Sequence, residues 1–171
     1  MNLEHLANLA EITGIMLVVV SLAYLNVQVR QNTKMLRSAA NQGAAEEIQQ
    51  MYAPLISDAT MTEIFIRGMQ DPDSLTPVEH GRFTSFFMSS TFVLQNWYFQ
   101  TREGLVESNT MNSLCKLLAD MSESPGHRQF WTSRRYAFSP EFVEFIEEQV
   151  LKQGGDKNYK PFQATPSRNS E

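Results

Sequence analysis

Apolar positions dominate the start of the chain. Residues 12–25 carry no charge, and with 6–10 and 27–29 they form an apolar segment over 6–29. At about 1.5 Å of rise per residue, a helix of that length crosses roughly 30 Å of hydrocarbon. Glu11 lies near one end of the run, where a carboxylate reaches the headgroup level instead of the costly bilayer centre. The competing reading of so short an uncharged core is a buried helix of a soluble protein. The flanks favour the membrane. Arg30, Lys34 and Arg37 follow the run, whereas Glu4 and Glu11 precede or open it with no Lys or Arg beside them. The positive-inside rule then puts the remainder of the chain on the cytoplasmic side, and a cleavable signal would need its cations in front.

From residue 31 the pattern changes to the helical period. Leu36, Ala40, Ala44, Ile48, Met51 and Leu55 recur at spacings of four and three, which aligns them on one face of a helix continuing from the anchor. That stripe is expected to pack against later helices of the same chain. A short helix is predicted over 60–69, ending in the turn-rich Asp71-Pro72-Asp73-Ser74. Thr76-Pro77-Val78-Glu79 reads as a capping box with proline at the first helical position, and nothing stops the helix it opens before Gly104. Within that helix residues 83–101 are free of charge. A second crossing is disfavoured because Gln95, Asn96, Gln100 and several hydroxyls are costly in lipid, so the segment is expected to be the central helix of a bundle.

Further helices are predicted over 109–121, after Ser124-Pro125-Gly126, and from Ser139-Pro140 to just before Gly154. The polar, proline-containing end has the composition of a disordered tail. The expected fold class is therefore all-α. A transmembrane anchor (1–30) continues into a long helix of a cytoplasmic domain (31–153), which holds about four to five further helices and precedes a tail over 154–171.

Charge and composition remove several function classes. A net charge of −5 argues against broad adhesion to nucleic acid. The mildly negative mean hydropathy excludes a polytopic membrane protein. Cys115 is the only cysteine, so no internal disulfide and no multi-cysteine zinc site forms. His5, His80 and His127 stand in three separate segments without metal-ligand spacing, and no cofactor or metal is expected. Ser89 and Ser90 lie inside a helix without a nucleophile elbow, and the glycines form no phosphate loop. These absences favour a non-enzymatic protein.

Two candidate interaction regions remain. Ala7, Ala10, Gly14 and Ser21 recur at spacings of three, four and seven, and Gln28 extends the seam by seven more. Small residues so spaced permit close helix contact inside lipid, toward a second copy or another membrane protein. Trp97, Tyr98, Arg102 and Glu103 end one helix, and His127, Arg128 and Trp131 begin another. Should the two segments meet, they would form an aromatic and Arg-rich pocket for an acidic or amphipathic ligand. The plainer expectation is that the aromatics fill the core while the charges pair on the surface. Glu141, Glu144, Glu147 and Glu148 are expected to face that basic segment as a solvated row. A weaker reading makes Glu103 or His127 a proton carrier.

Several stretches also carry a family resemblance: Asn8-Leu9-Ala10-Glu11, Val29-Arg30-Gln31-Asn32-Thr33, Asp71 to Pro77, Arg102-Glu103-Gly104-Leu105, Ser124-Pro125-Gly126 and Phe138 to Val143. In this order they resemble a family of uncharacterised small bacterial single-pass membrane proteins. The resemblance implies an N-terminal anchor in the bacterial inner (cytoplasmic) membrane, its N-terminus outside, and a helical cytoplasmic domain. It implies no catalytic residues. The expected function is thus a membrane-anchored interaction or assembly protein, homo-oligomeric or an accessory subunit, with a ligand sensor as the alternative.

Overall fold

The computed structural model describes residues 3–155, the side chains of Leu3, Leu6, Ala7, Ala10 and Gln153 excepted. The expected disordered tail falls, from residue 156 onward, outside the described residues. The described chain is all-helical. It divides into two units, Met1–Ala40 and Asn41–Glu171.

The described part of the first unit is entirely α1, which runs Leu3–Ser57 and passes into the second. Its apolar side chains are uncovered: Leu17 is 64% exposed, Val20 64% and Leu25 54%. Several of its polar side chains bond to their own helix. Thr13 and Ser21 donate to the carbonyls of Leu9 and Leu17, and Gln28 Nε2 donates to the Tyr24 hydroxyl at 2.8 Å. The helix is long and apolar enough to cross a membrane.

The second unit is a helical bundle. It contains the end of α1, followed by α2 (Ala59–Gln70), α3 (Pro77–Arg102), α4 (Ser108–Ser122), α5 (Pro125–Arg134) and α6 (Pro140–Phe145). Caps set the boundaries. Asp58 accepts from the N–H groups of Thr60 and Met61 to start α2. The capping box of Thr76 and Glu79 starts α3 as expected, with both reciprocal bonds formed. Ser124 and Ser139 open α5 and α6, each with proline in the first turn. Gly104, at φ 72°, ends α3 in the left-handed conformation that glycine adopts without penalty.

One core joins α2, α3 and α5. Phe65, Phe83, Phe87 and Phe130 are buried, with Phe87 lying 4.9–5.8 Å from four neighbouring phenyl rings. This core continues through Trp131, Phe138, Phe142, Ile146 and Val150. A second cluster places Ala44 of α1 against Trp97 and Met111, with Ile48 beside them. The stripe on α1 thus packs on its own chain from Ala44 to Leu55, whereas Leu36 is 62% exposed. Helices α2 and α5 approach through glycines: a Cβ on Gly126 would lie 2.0 Å from the Gly68 carbonyl oxygen. No other residue fits there.

The charge-free segment 83–101 is an internal helix. Phe83, Phe87, Thr91 and Trp97 are buried, and several of the polar groups find partners within the bundle, whereas the buried Thr101 hydroxyl has none among the described residues. Thr91 donates to the Phe87 carbonyl, and Gln95 Oε1 accepts from the Ser139 N–H at 2.7 Å. The final helix departs from the plain α-helix expected. After Phe145 it widens into a π turn over Ile146–Val150 and tightens into a 3-10 turn over Leu151–Gln153. With that path Ile146 and Val150 stay buried while Glu147 accepts from Trp131 Nε1 and Arg135.

Candidate functional site

The residues expected to form an aromatic and Arg-rich pocket do not converge. Trp97 is buried toward α1, where its Nε1 donates to Glu47. Tyr98 packs on Phe142 and Phe145, and Arg102 reaches across its ring to pair with Glu141. Glu103 is exposed at the end of α3. His127 lies elsewhere, 5.4 Å from the Phe87 ring. Phe87 and Arg102 are separated by about 22 Å along α3, at about 1.5 Å per residue. Arg102 and His127 therefore stand apart, whereas Tyr98 and Trp131 share one core, linked through Phe142 and Phe138. Arg128 is exposed, and Trp131 is buried, stacked on Phe138 with ring centroids 6.0 Å apart.

The chemistry of these residues is that of a core and its surface. His127 is 1% exposed, and burial pushes its pKa down to about 4, so the ring is neutral at physiological pH. Burial likewise pushes the Cys115 thiol up to about 11, away from the reactive thiolate. The Arg135 guanidinium beside Glu147, helped by Trp131, holds that carboxyl below its ordinary range. The acidic row behaves in part as expected. Glu141 and Glu147 face Arg102 and Arg135, whereas Glu148 pairs with Lys152 one turn further along its own helix. Among the described residues no three of His, Cys, Asp or Glu gather where one metal ion would fit.

The helix seam stands uncovered. A Cβ on Gly14 would meet nothing within 4 Å, while Ser21 and Gln28 are exposed and bonded within α1. Ala7 and Ala10, the other seam positions, lie outside the described side chains. Arg30, Lys34 and Arg37 are exposed beyond the end of the apolar run, on one face of α1.

Two features have no counterpart in the linear pattern. The first is the Glu47–Trp97 hydrogen bond, which fastens the end of α1 to α3 across fifty positions. The second is an apolar cavity between the end of α1, α3 and α4, adjoining a wider groove of mixed lining. Neither space is lined by Arg102, Glu103, His127 or Arg128. Comparison with family models, with curated proteins and with solved structures finds nothing similar to this chain.

Proposed function

We propose that this protein is a single-pass, membrane-anchored interaction or assembly protein, working as a homo-oligomer or as an accessory subunit of a membrane complex. The observation that carries the reading is the exposed apolar surface of residues 12–29. Side chains such as Ile12, Val19 and Leu22 are each more than half exposed, in a chain that buries its other large apolar runs. Exposing so much contiguous hydrocarbon to water is strongly unfavourable, at about 25 cal/mol per Å². Lipid removes that cost.

Arg30, Lys34 and Arg37 support an orientation with the bundle in the cytoplasm of a bacterial cell. Gly14, Ser21 and Gln28 on one face support helix–helix contact within the bilayer.

Chemical crosslinking in native membranes, followed by purification and mass measurement, tests the reading. Crosslinked multimers or a stoichiometric membrane partner are expected. A strictly monomeric species that retains no other protein would overturn the assembly function. Recovery of the full chain in the supernatant after detergent-free ultracentrifugation would overturn the anchor.

A further inference from the structure

Viewed down its axis, the first unit's helix has two unlike sides. At about 100° per residue, Arg30, Lys34 and Arg37 fall within an arc of about 60°. Lys34 and Arg37 stand about 6 and about 10 Å beyond Arg30, at about 1.5 Å of rise per residue. Followed back into the apolar run, the same side carries Met16, Val19, Ala23 and Val27. Gly14, Ser21 and Gln28 lie about half a turn away, on the opposite side. Seam and cations therefore face different neighbours.

The three cations have no counter-charge close by. All are exposed, and the sequence holds no Asp or Glu between Glu11 and Glu46. Among the described residues none of the three enters an ion pair, whereas Arg67, Arg82, Arg102, Arg135 and Lys152 each face a carboxylate. Like charges three and four residues apart on a helix repel, so the grouping is unfavourable until an anion joins it. Orientation by the positive-inside rule needs only cations near the end of the run, whichever side of the helix bears them. Alignment on one side adds a place for an anion.

We infer that this side of α1 binds the headgroup of an anionic phospholipid. Side chains on a helix lean toward its N-terminus, which for Lys34 and Arg37 is the direction of the apolar run. Their charged ends therefore come back toward Arg30 and the level of a phosphate. Guanidinium groups give that phosphate paired hydrogen bonds, and the lysine adds a point charge. Acyl chains of the same lipid lie along Met16, Val19 and Ala23. A soluble anion gains the charges alone, on an open helix side screened by water and salt. The inference rests on the membrane-anchor reading, because only an inserted run brings the cations to a headgroup.

The test mixes the full chain, in a neutral maltoside detergent, with equal amounts of phosphatidylglycerol and phosphatidylcholine. Native mass spectrometry counts the lipids retained. Phosphatidylglycerol should be favoured by about fivefold for each cation that reaches its phosphate. Arg30→Gln, Lys34→Gln and Arg37→Gln together should bring the two lipids level. A second variant keeps the charge and scatters it around the helix, combining Lys34→Gln and Arg37→Gln with Gln31→Lys and Ala39→Arg. It should lose most of the preference. Excess glycerol phosphate, the soluble head alone, should displace little of the lipid. Equal retention of both lipids by a chain that sediments with phosphatidylcholine vesicles would overturn the site and leave the anchor standing. Full preference in the scattered variant would reduce the cations to an orientation signal and would overturn the site too. Displacement by glycerol phosphate would overturn the assignment to a lipid. A chain left in the supernatant by those vesicles would overturn the anchor, and this inference with it.

Discussion

Two long charge-free helical stretches, residues 12–29 of α1 and 83–101 of α3, are similar in length and opposite in surroundings. The first is exposed along its length, whereas the second buries Phe83, Phe87 and Trp97. The difference lies in their polar residues. Thr13, Ser21 and Gln28 make their bonds within α1 and ask nothing of a neighbour. Gln95 and Trp97 reach other segments, the Ser139 N–H and Glu47. An apolar helix whose polar groups are satisfied internally tolerates lipid, and one whose polar groups need distant partners belongs in a folded bundle. Apolar length alone does not separate the two cases.

Substitutions that act on one stretch and spare the other put the distinction at risk. Phe87→Ala should have the largest effect, because it empties the centre of the aromatic core. A loss of about 4 kcal/mol is expected, read as a lowered denaturation midpoint of the bundle in mild detergent. Membrane partitioning should be unchanged. Val19→Arg should do the reverse, weakening membrane insertion by about 3 kcal/mol in alkaline extraction while the bundle unfolds as before. If Phe87→Ala released the chain from membranes, or Val19→Arg lowered the bundle's midpoint, the two stretches would not be independent.

His127 supplies a pH test confined to the bundle. Its pKa falls from the ordinary 6.5 to about 4 because burial disfavours the imidazolium, with Phe87 and Phe130 around the ring. The unfolded chain therefore binds the proton more readily than the folded one. This contribution is complete above pH 6.5, declines as the pH falls, and is gone below about 4. The drop is about 3 kcal/mol, at about 1.4 kcal/mol for each unit of pKa difference. Denaturation series between pH 7 and 4 measure it, and His127→Leu should flatten the profile. An unchanged slope in that variant would move the acid sensitivity to another group.

Much of this architecture was legible before any coordinates, for reasons that differ along the chain. Caps and prolines act within three or four residues, so Thr76, Ser124 and Ser139 announced their helices directly. The stripe on α1 announced its buried face from Ala44 onward, but period alone does not say where a partner begins, and Leu36 proved exposed. The residues of the candidate pocket are dispersed for a related reason. Trp97, Arg102, His127 and Trp131 were grouped by residue type, whereas their neighbourhoods depend on how far along α3 each contact falls. The π turn at Ile146 and the contact of Gly126 with Gly68 depend on tertiary packing that no local pattern encodes. The cavity arises where three helices leave a gap, and sequence spacing carries no trace of a gap.

Thr76→Ala is the mildest probe of the contrast and separates local from tertiary support for α3. Thr76 Oγ1 accepts from the Glu79 N–H, and the Glu79 carboxylate accepts from the Thr76 N–H while pairing with Arg67. The backbone bond from Thr76, followed by Arg67, holds the Glu79 carboxyl below its ordinary range. Alanine removes one side of this box and keeps the Glu79 bond to the backbone, so a loss of about 1 kcal/mol is expected in the bundle's denaturation midpoint. Membrane partitioning should not move, since the apolar end of α1 owes nothing to that cap. A loss as large as that from Phe87→Ala would mean that α3 is held by its first turn. Its aromatic face would then be a consequence of the helix, and the contrast with α1 would rest on capping instead of on where each helix finds partners for its polar groups.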